Sequence, residues 1–213
     1  MDEKKYFIKE IYYTLQGEGF HTGRPAVFCR FSGCNLWSGR EKDRATAICK
    51  FCDTNFWGTD GVGGGKYTSE YLGSYCASLW PDADSNSKFV VFTGGEPMLQ
   101  LNEEIIADFK KNGFEIAIET NGTIEVPKGV DWVCMSPKAN TEIVVMKGEE
   151  LKLVHPQINA SPERFEKYDF EHKFLQPMDG QNVEENIQIC IEYCKQNPIW
   201  KLSLQTHKIL NIP

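Results

Sequence analysis

Long apolar runs are missing from this 213-residue chain, and none approaches the ~20 residues needed to cross a bilayer. No membrane partner is therefore expected. Basic residues are in short supply, with 23 Lys and Arg against 30 Asp and Glu and a formal charge of −7. That balance argues against a phosphate-tracking surface, so no nucleic-acid partner is expected either. The opening "MDEKKYFIKEIYY" carries charge but no apolar h-region after it. No signal peptide is expected, and a cytoplasmic location is. Repeats, low-complexity tracts and splitting linkers are absent, which predicts a single domain over 1–213 with an ample core. The segment "DGVGGGK" (60–66) reads as a neutral linker within it.

Cysteine, by contrast, is plentiful, with eight in the chain. In a reducing compartment these are metal ligands or buried thiols rather than disulfides. Cys29 lies in "PAVFCRF", a strand on which it shares a face with Val27 and Phe31 and opposes Arg30. Cys76 and Cys134 sit in apolar stretches. Cys190 and Cys194 are four apart on a helix face with Val183 and Ile187. All five read as small buried hydrophobes.

Short β-rich runs recur at 26–31, 88–93, 114–120, 131–136, 151–155, 172–177 and 201–206. Most are nearly continuous apolar segments, as parallel strands covered on both faces require. Helical patterns fall between several of them. "TSEYLGSYCASLW" opens on a Thr/Ser cap, "NEEIIADFKKNG" on Asn102 and "NVEENIQICIEYCKQNP" on Asn182. Alternating β and α units predict a parallel sheet with right-handed crossovers. The chain is short for a complete eightfold barrel of ~250 residues. The predicted fold is therefore α/β, a shortened, open (β/α) barrel with parallel strands. Polar, Gly- and Pro-containing segments collect after the strands ("GGEP", "ETNG", "SPK", "QPM", "QTH"), where barrel active sites are built.

The remaining cysteines, Cys34, Cys49 and Cys52, are spaced C-x14-C-x2-C. Adding Cys29 would give a pattern close to a zinc ribbon. Alternation turns Cys29 into the core layer, however, which leaves three thiolates and no nearby histidine except His21. A zinc-stabilised binding module without catalysis, completed by a distant ligand, stays open. The other reading is a [4Fe–4S] cluster, which normally takes four cysteines. Three thiolates leave one iron free to be chelated by the amine and carboxylate of an amino acid, as S-adenosylmethionine provides.

Cys34, Cys49 and Cys52 followed by "DTNFWG", and then by "VVFTGGEP", resemble the radical S-adenosylmethionine superfamily. The long spacing is similar to that in a subset of the 7-carboxy-7-deazaguanine synthases. The likeness to that family extends over most of the chain, through "YTLQGEGFHTGRPAVFCRFSGCNLW", "IETNGT", "SPK", "FLQPMDG" and "LQTHKILNIP". The resemblance implies a lyase converting 6-carboxy-5,6,7,8-tetrahydropterin to 7-carboxy-7-deazaguanine, with ring contraction and loss of ammonia, in queuosine and 7-deazapurine biosynthesis. It also implies Mg²⁺, an electron donor such as flavodoxin or ferredoxin, and a homodimer. Another radical enzyme of the superfamily, such as a glycyl-radical activase, is the second alternative.

Residue roles follow from the same likeness. The cluster-binding loop is 34–52. Phe51, Cys52 and Asp53 would contact the adenine of the cofactor, and Gly94, Gly95 and Glu96 its methionine ammonium. Ser136, Pro137 and Lys138, with Gln176, Pro177, Met178 and Asp179, would hold the remainder. Leu15, Gln16 and Gly17 would grip the pterin, whose edge alternates donors and acceptors that an amide can match. Arg30 would take the substrate carboxylate as a bidentate partner, or instead form an inter-strand ion pair. Thr93, Glu18, Glu119 and His207 stand as further substrate contacts, with the carboxylate of Pro213. Thr54 would serve Mg²⁺, an ion that often uses few protein ligands.

Overall fold

The computed structural model describes residues 3–81 and 87–213, so residues 1–2 and 82–86 of the predicted domain lie outside the described residues. The strands are β1 (Tyr6–Leu15), β2 (Pro25–Phe31), β3 (Gly65–Tyr67), β4 (Phe89–Gly94), β5 (Glu115–Thr120), β6 (Trp132–Met135), β7 (Lys147–His155), β8 (Asp169–Pro177) and β9 (Trp200–Leu202). The helices are α1 (Ser69–Ser78), α2 (Glu103–Lys111), α3 (Val183–Gln196) and the short α4 (Thr206–Leu210). Among the described residues the strands form one sheet in the order β3-β1-β2-β4-β5-β6-β7-β8-β9. From β2 through β4 to β9 every pairing is parallel. The result is a mostly parallel α/β sheet that does not close on itself.

Six of the seven strands expected from the apolar runs are present; the last, expected over 201–206, is only Trp200–Leu202 and gives way to α4 at Thr206, and β1 and β3 were not expected. β1 runs antiparallel to both β2 and β3. Two local causes hide β1. A register shift between Ile8 and Glu10 interrupts its alternation, so buried Tyr6, Ile8 and Ile11 do not share one period of two. The connection to β2, residues 16–24, is also too short for a parallel crossover and imposes a hairpin. β3 corrects the reading of 60–66 as a linker. Gly61 N donates to Lys9 O at 3.0 Å and Ile11 N to Val62 O at 2.7 Å, which stitches this segment onto β1. A β-carbon on Gly64 would lie 2.3 Å from Lys9 O, so only glycine fits there.

Helices are fewer than strict alternation would supply. No helix separates β5 from β6 or β6 from β7, and a single 3-10 turn (Pro162–Phe165) lies between β7 and β8. Thr68 and Asn102 cap α1 and α2 as expected, accepting from Tyr71 N and Ile105 N. Asn182 makes no side-chain capping bond, a departure from the predicted cap of α3. Two apolar clusters anchor the sheet. One joins β1, β2, β4 and β5 to α1 and α2; the other gathers β6, β7 and β8 under α3.

Cys29, Cys76, Cys134 and Cys190 are buried, as expected, and Cys194 is half-buried against the second cluster. Cys29 forms part of the first core, together with Cys76. This removes Cys29 from any ribbon-like metal site. No helix among the described residues is long and apolar enough to cross a membrane.

Candidate active site

A cavity of about 470 Å³ opens at the C-terminal ends of the parallel strands, within the size range of small-molecule sites. Strands β1, β2, β4, β5, β7 and β8 deliver side chains to it. β2 supplies Phe28 and Arg30; β4 ends there in Thr93, Gly94 and Gly95; β5 brings Glu119 and β7 Lys152. The turn after β1 adds Gln16, Gly17 and Glu18 beside Leu15, and the chain's end adds His207, Lys208 and Pro213. Cys49, Phe51, Cys52, Asp53 and Thr54 also line it, with Ser136, Lys138, Gln176, Pro177 and Asp179. Most of the sequence-predicted residues therefore meet in one place. Cys34, Glu96, Pro137 and Met178 are not among its lining residues.

Arg44 is what folds the long cysteine loop. Its guanidinium pairs with Glu41 at 2.8 Å, lies 4.1 Å from the Trp37 ring centroid, and donates to the Lys50 and Cys52 carbonyls at 2.9 and 3.1 Å. Trp37 in turn packs edge-on against Phe56. The fourteen residues between Cys34 and Cys49 thus return the chain to bring Cys49 and Cys52 near Cys34. The three thiols share one corner. Burial pushes the Cys34 thiol up, and the Glu96 and Cys52 charges push the same way. Cys49 is raised by burial and by Cys52 and Cys34, with Lys138 opposing.

Among the described residues no trio of His, Cys, Asp or Glu stands close enough to hold a single metal ion. One zinc ion at ~2.3 Å from each sulfur would need thiolates about 3.8 Å apart. A cluster that offers a separate iron to each thiolate accepts a wider triangle. The donor set fits an iron–sulfur cluster better than zinc.

Gly94 and Gly95, which line the cavity, also have no room for a side chain. A β-carbon on Gly94 would lie 2.5 Å from Phe31 O, and one on Gly95 would lie 2.3 Å from Gly33 O and 2.6 Å from the Cys34 β-carbon. The close approach is therefore to the start of the cysteine loop. Glu96 departs from expectation. Its side chain is fully buried and accepts from Met98 N (3.0 Å), Thr120 Oγ1 (2.8 Å) and Asn121 N (2.7 Å). It ties the β4 turn to the end of β5 and offers no carboxylate to the cavity.

On the substrate side, buried Lys152 pairs with Glu18 at 2.8 Å and Glu119 at 2.9 Å. Burial works against the Glu18 carboxylate, but the Lys152 ammonium, Gln205 and His207 outweigh it and bring its pKa down to about 2. The Gln16 amide reaches both ways: Nε2 donates to Glu119 at 3.3 Å and Oε1 accepts from Glu18 N at 3.2 Å. Arg30 makes the inter-strand pair, Nε to Glu10 at 2.8 Å and Nη2 to Tyr12 at 3.4 Å, while still lining the cavity.

The chain's end closes over this floor. Thr206 donates from N and Oγ1 to Gly17 O, both at 2.9 Å. A β-carbon on Gly17 would strike His207 Nδ1 at 2.4 Å. Burial holds His207 below the usual imidazole range. Pro213 O accepts from Thr14 Oγ1 at 3.0 Å. Lys208 spans Asp53 (2.5 Å) and Asp179 (2.6 Å), joining the cysteine loop to the segment after β8. Sequence reasoning missed Lys152, Lys208 and Arg44. Only Lys152 left a signal: a lysine inside the apolar run "LKLVH" has to find buried counter-charges.

No family model matches the chain. It is 56% identical over 209 residues to the 7-carboxy-7-deazaguanine synthase of Burkholderia multivorans, covering 98% of this chain and 99% of that protein. The enzyme of the same name from Nitratidesulfovibrio vulgaris is 48% identical over 217 residues, again covering 98% and 99%. Among solved structures, QueE from Escherichia coli superposes with a TM-score of 0.71 at 29% identity, covering 94% of each chain.

Proposed function

The chain belongs to the 7-carboxy-7-deazaguanine synthases, radical S-adenosylmethionine lyases, and we propose how its pocket serves the conversion of 6-carboxy-5,6,7,8-tetrahydropterin to 7-carboxy-7-deazaguanine. The observation that carries the proposal is the convergence, in one cavity, of Cys49, Cys52 and the residues after them with a set of charged and amide groups.

When bound, the cluster and S-adenosylmethionine supply the radical that starts the ring contraction. Cys34, Cys49 and Cys52 would hold the cluster. Phe51 to Asp53, the Gly94–Gly95 backbone, Ser136 to Lys138 and Gln176 to Asp179 would hold the cofactor, several of them along the cavity wall. Glu96 contributes indirectly, by fixing the turn that carries Gly94 and Gly95. Thr54 places a hydroxyl on the same wall, where Mg²⁺ completed by water and substrate oxygens would sit.

The chain's own side chains orient the pterin. Arg30, held by Glu10 and Tyr12, presents the rest of its guanidinium to the substrate carboxylate. Gln16, Glu18 and Glu119 offer acceptors and a donor to the ring edge, with Leu15, Gly17, Thr93, His207 and the Pro213 oxygen around it. Lys152 pairs with both Glu18 and Glu119 and fixes them, so that these acceptors need no rearrangement when substrate arrives. The segment 206–213 covers the floor and keeps water from the reacting ring.

In this reading 1–213 works as one domain, with the sheet curled into a shortened, open barrel and the cluster loop at 34–52. A flavodoxin- or ferredoxin-like donor, a cytoplasmic setting and a homodimer complete it. Equilibrium binding tests the substrate assignment. A pterin lacking the 6-carboxylate is expected to bind at least ~10-fold more weakly than the carboxylated one, the loss of a charge-assisted pair. Equal affinities would overturn the role of Arg30 and the substrate class.

A further inference from the structure

Behind the substrate floor lies a second, small cavity of about 10 Å³. Gln16, Glu18 and Glu119 form the partition, because they line both spaces; Glu150 and His21 line only the rear one. The volume suits a single water. Two buried polar atoms on its walls, Glu150 Oε1 and His21 Nε2, have no hydrogen-bond partner among the described residues. The other carboxyl oxygen of Glu150 is engaged, accepting from Trp132 Nε1 at 3.2 Å and Phe20 N at 3.3 Å. Glu150 is held in one orientation, with Oε1 set against Gly19, where a β-carbon would lie 1.9 Å away. The glycine at position 19 is thus required for the carboxyl to sit where it does.

We propose that the rear cavity is a one-water site in which Glu150 Oε1 and His21 Nε2 hold a water against Glu18 and Glu119, making Glu150 a positioning residue for the two substrate-side carboxylates. An orphaned buried carboxyl oxygen costs free energy, and a bridging water removes that cost. The charges around it supply the purpose. Three glutamates, Glu18, Glu119 and Glu150, face the single ammonium of Lys152 from the turn after β1, from β5 and from β7, with the Cys134 thiol on β6 and His21 nearby. Full ionisation would leave a buried excess of negative charge, so one carboxyl keeps its proton. Burial favours the neutral form at Glu150, and Glu119 adds to it against Lys152, Phe20 N and Trp132. A proton stored on Glu150 leaves the Lys152 ammonium to Glu18 and Glu119.

This inference rests on the pterin-site reading only for its second test. The first is a high-resolution crystal structure of the wild-type chain. It is expected to show a water within about 3.2 Å of both Glu150 Oε1 and His21 Nε2; a dry cavity would overturn the proposal whatever the substrate proves to be. The second compares wild type with Glu150→Gln. The alkaline midpoint for pterin binding, where wild-type Glu150 loses its proton and competes for Lys152, is expected to move up by about half a unit or more because glutamine stays neutral, with affinity at the optimum changed less than twofold. An unmoved midpoint with a lowered melting temperature would mean that Glu150 is structural only. A chain that binds no pterin at all would refute the substrate reading, leaving the occupancy of the cavity to decide this one.

Discussion

Gly95 lies against Cys34 so closely that a β-carbon on it would stand 2.6 Å from the cysteine's own β-carbon. The turn after β4 and the first of the three loop cysteines are therefore a single packed unit. Gly95→Ala must push the cysteine loop away, at the ~1–3 kcal/mol typical of overpacking. Reconstituted variant protein is expected to bind less iron than wild type, with a melting temperature lowered by several degrees. Wild-type iron content would mean that the loop yields freely and the contact has no consequence.

Arg44 joins the two halves of the long loop through the Lys50 and Cys52 carbonyls and the Trp37 ring. Arg44→Ala leaves those carbonyls and the ring without their partner while all three thiols remain. The expected result is a cluster that assembles but is lost faster under chelator, measured by the decay of visible absorbance. Lysine at position 44 should restore little, because it lacks the planar fork that reaches two carbonyls and stacks on an indole.

Lys208 carries the chain's end across to Asp53 and Asp179. All three side chains are more than a third exposed, so the pairs add under about 1 kcal/mol to stability. Lys208→Ala should leave the melting temperature nearly unchanged. Because Asp53 and Asp179 flank the proposed cofactor position, the KM for S-adenosylmethionine is expected to rise several-fold. A large loss of stability with an unchanged KM would make the contact structural.

Glu18 ties acid stability to the pocket floor. Its carboxyl is held down at about 2 in the folded chain against an ordinary 4.5. A depressed carboxylate contributes stability that is fully present above the unfolded value and is lost as pH falls through the folded one. The window is therefore pH 4.5 down to 2, and the full contribution is about 3 kcal/mol. Urea titrations at pH 7 and pH 3 should show wild type losing about 2 kcal/mol more than Glu18→Gln over that interval. Parallel losses in the two proteins would show that Lys152 does not hold Glu18 in this way.

What could be read from the sequence follows the range of the forces involved. β4, β5 and β8 are dense apolar runs, α1 and α2 carry their caps, and Cys34, Cys49 and Cys52 stand out because thiolates at a C-x2-C end suit few roles. Local chemistry made these legible. β1 was hidden by its irregular register, and β3 by glycines whose purpose is contact with Lys9, more than fifty residues away. Glu96 was misjudged because nothing near it in sequence reveals that Thr120 and Asn121 come to take both of its oxygens. Arg30 was left between two partners, and only the pairing of β1 with β2 brings Glu10 and Tyr12 to it. The charges that set the floor, Lys152 with Glu18, Glu119 and Glu150, come from three separate segments, and their balance exists only once the sheet has formed.

The most direct measurement is anaerobic turnover by the reconstituted, reduced chain with S-adenosylmethionine, Mg²⁺ and 6-carboxy-5,6,7,8-tetrahydropterin, run beside Cys49→Ala and followed by mass spectrometry. The account predicts 7-carboxy-7-deazaguanine from the wild-type chain and neither that product nor 5′-deoxyadenosine from the variant. Deoxyadenosine from wild type without the deazaguanine, or cofactor cleavage that survives loss of Cys49, would contradict it.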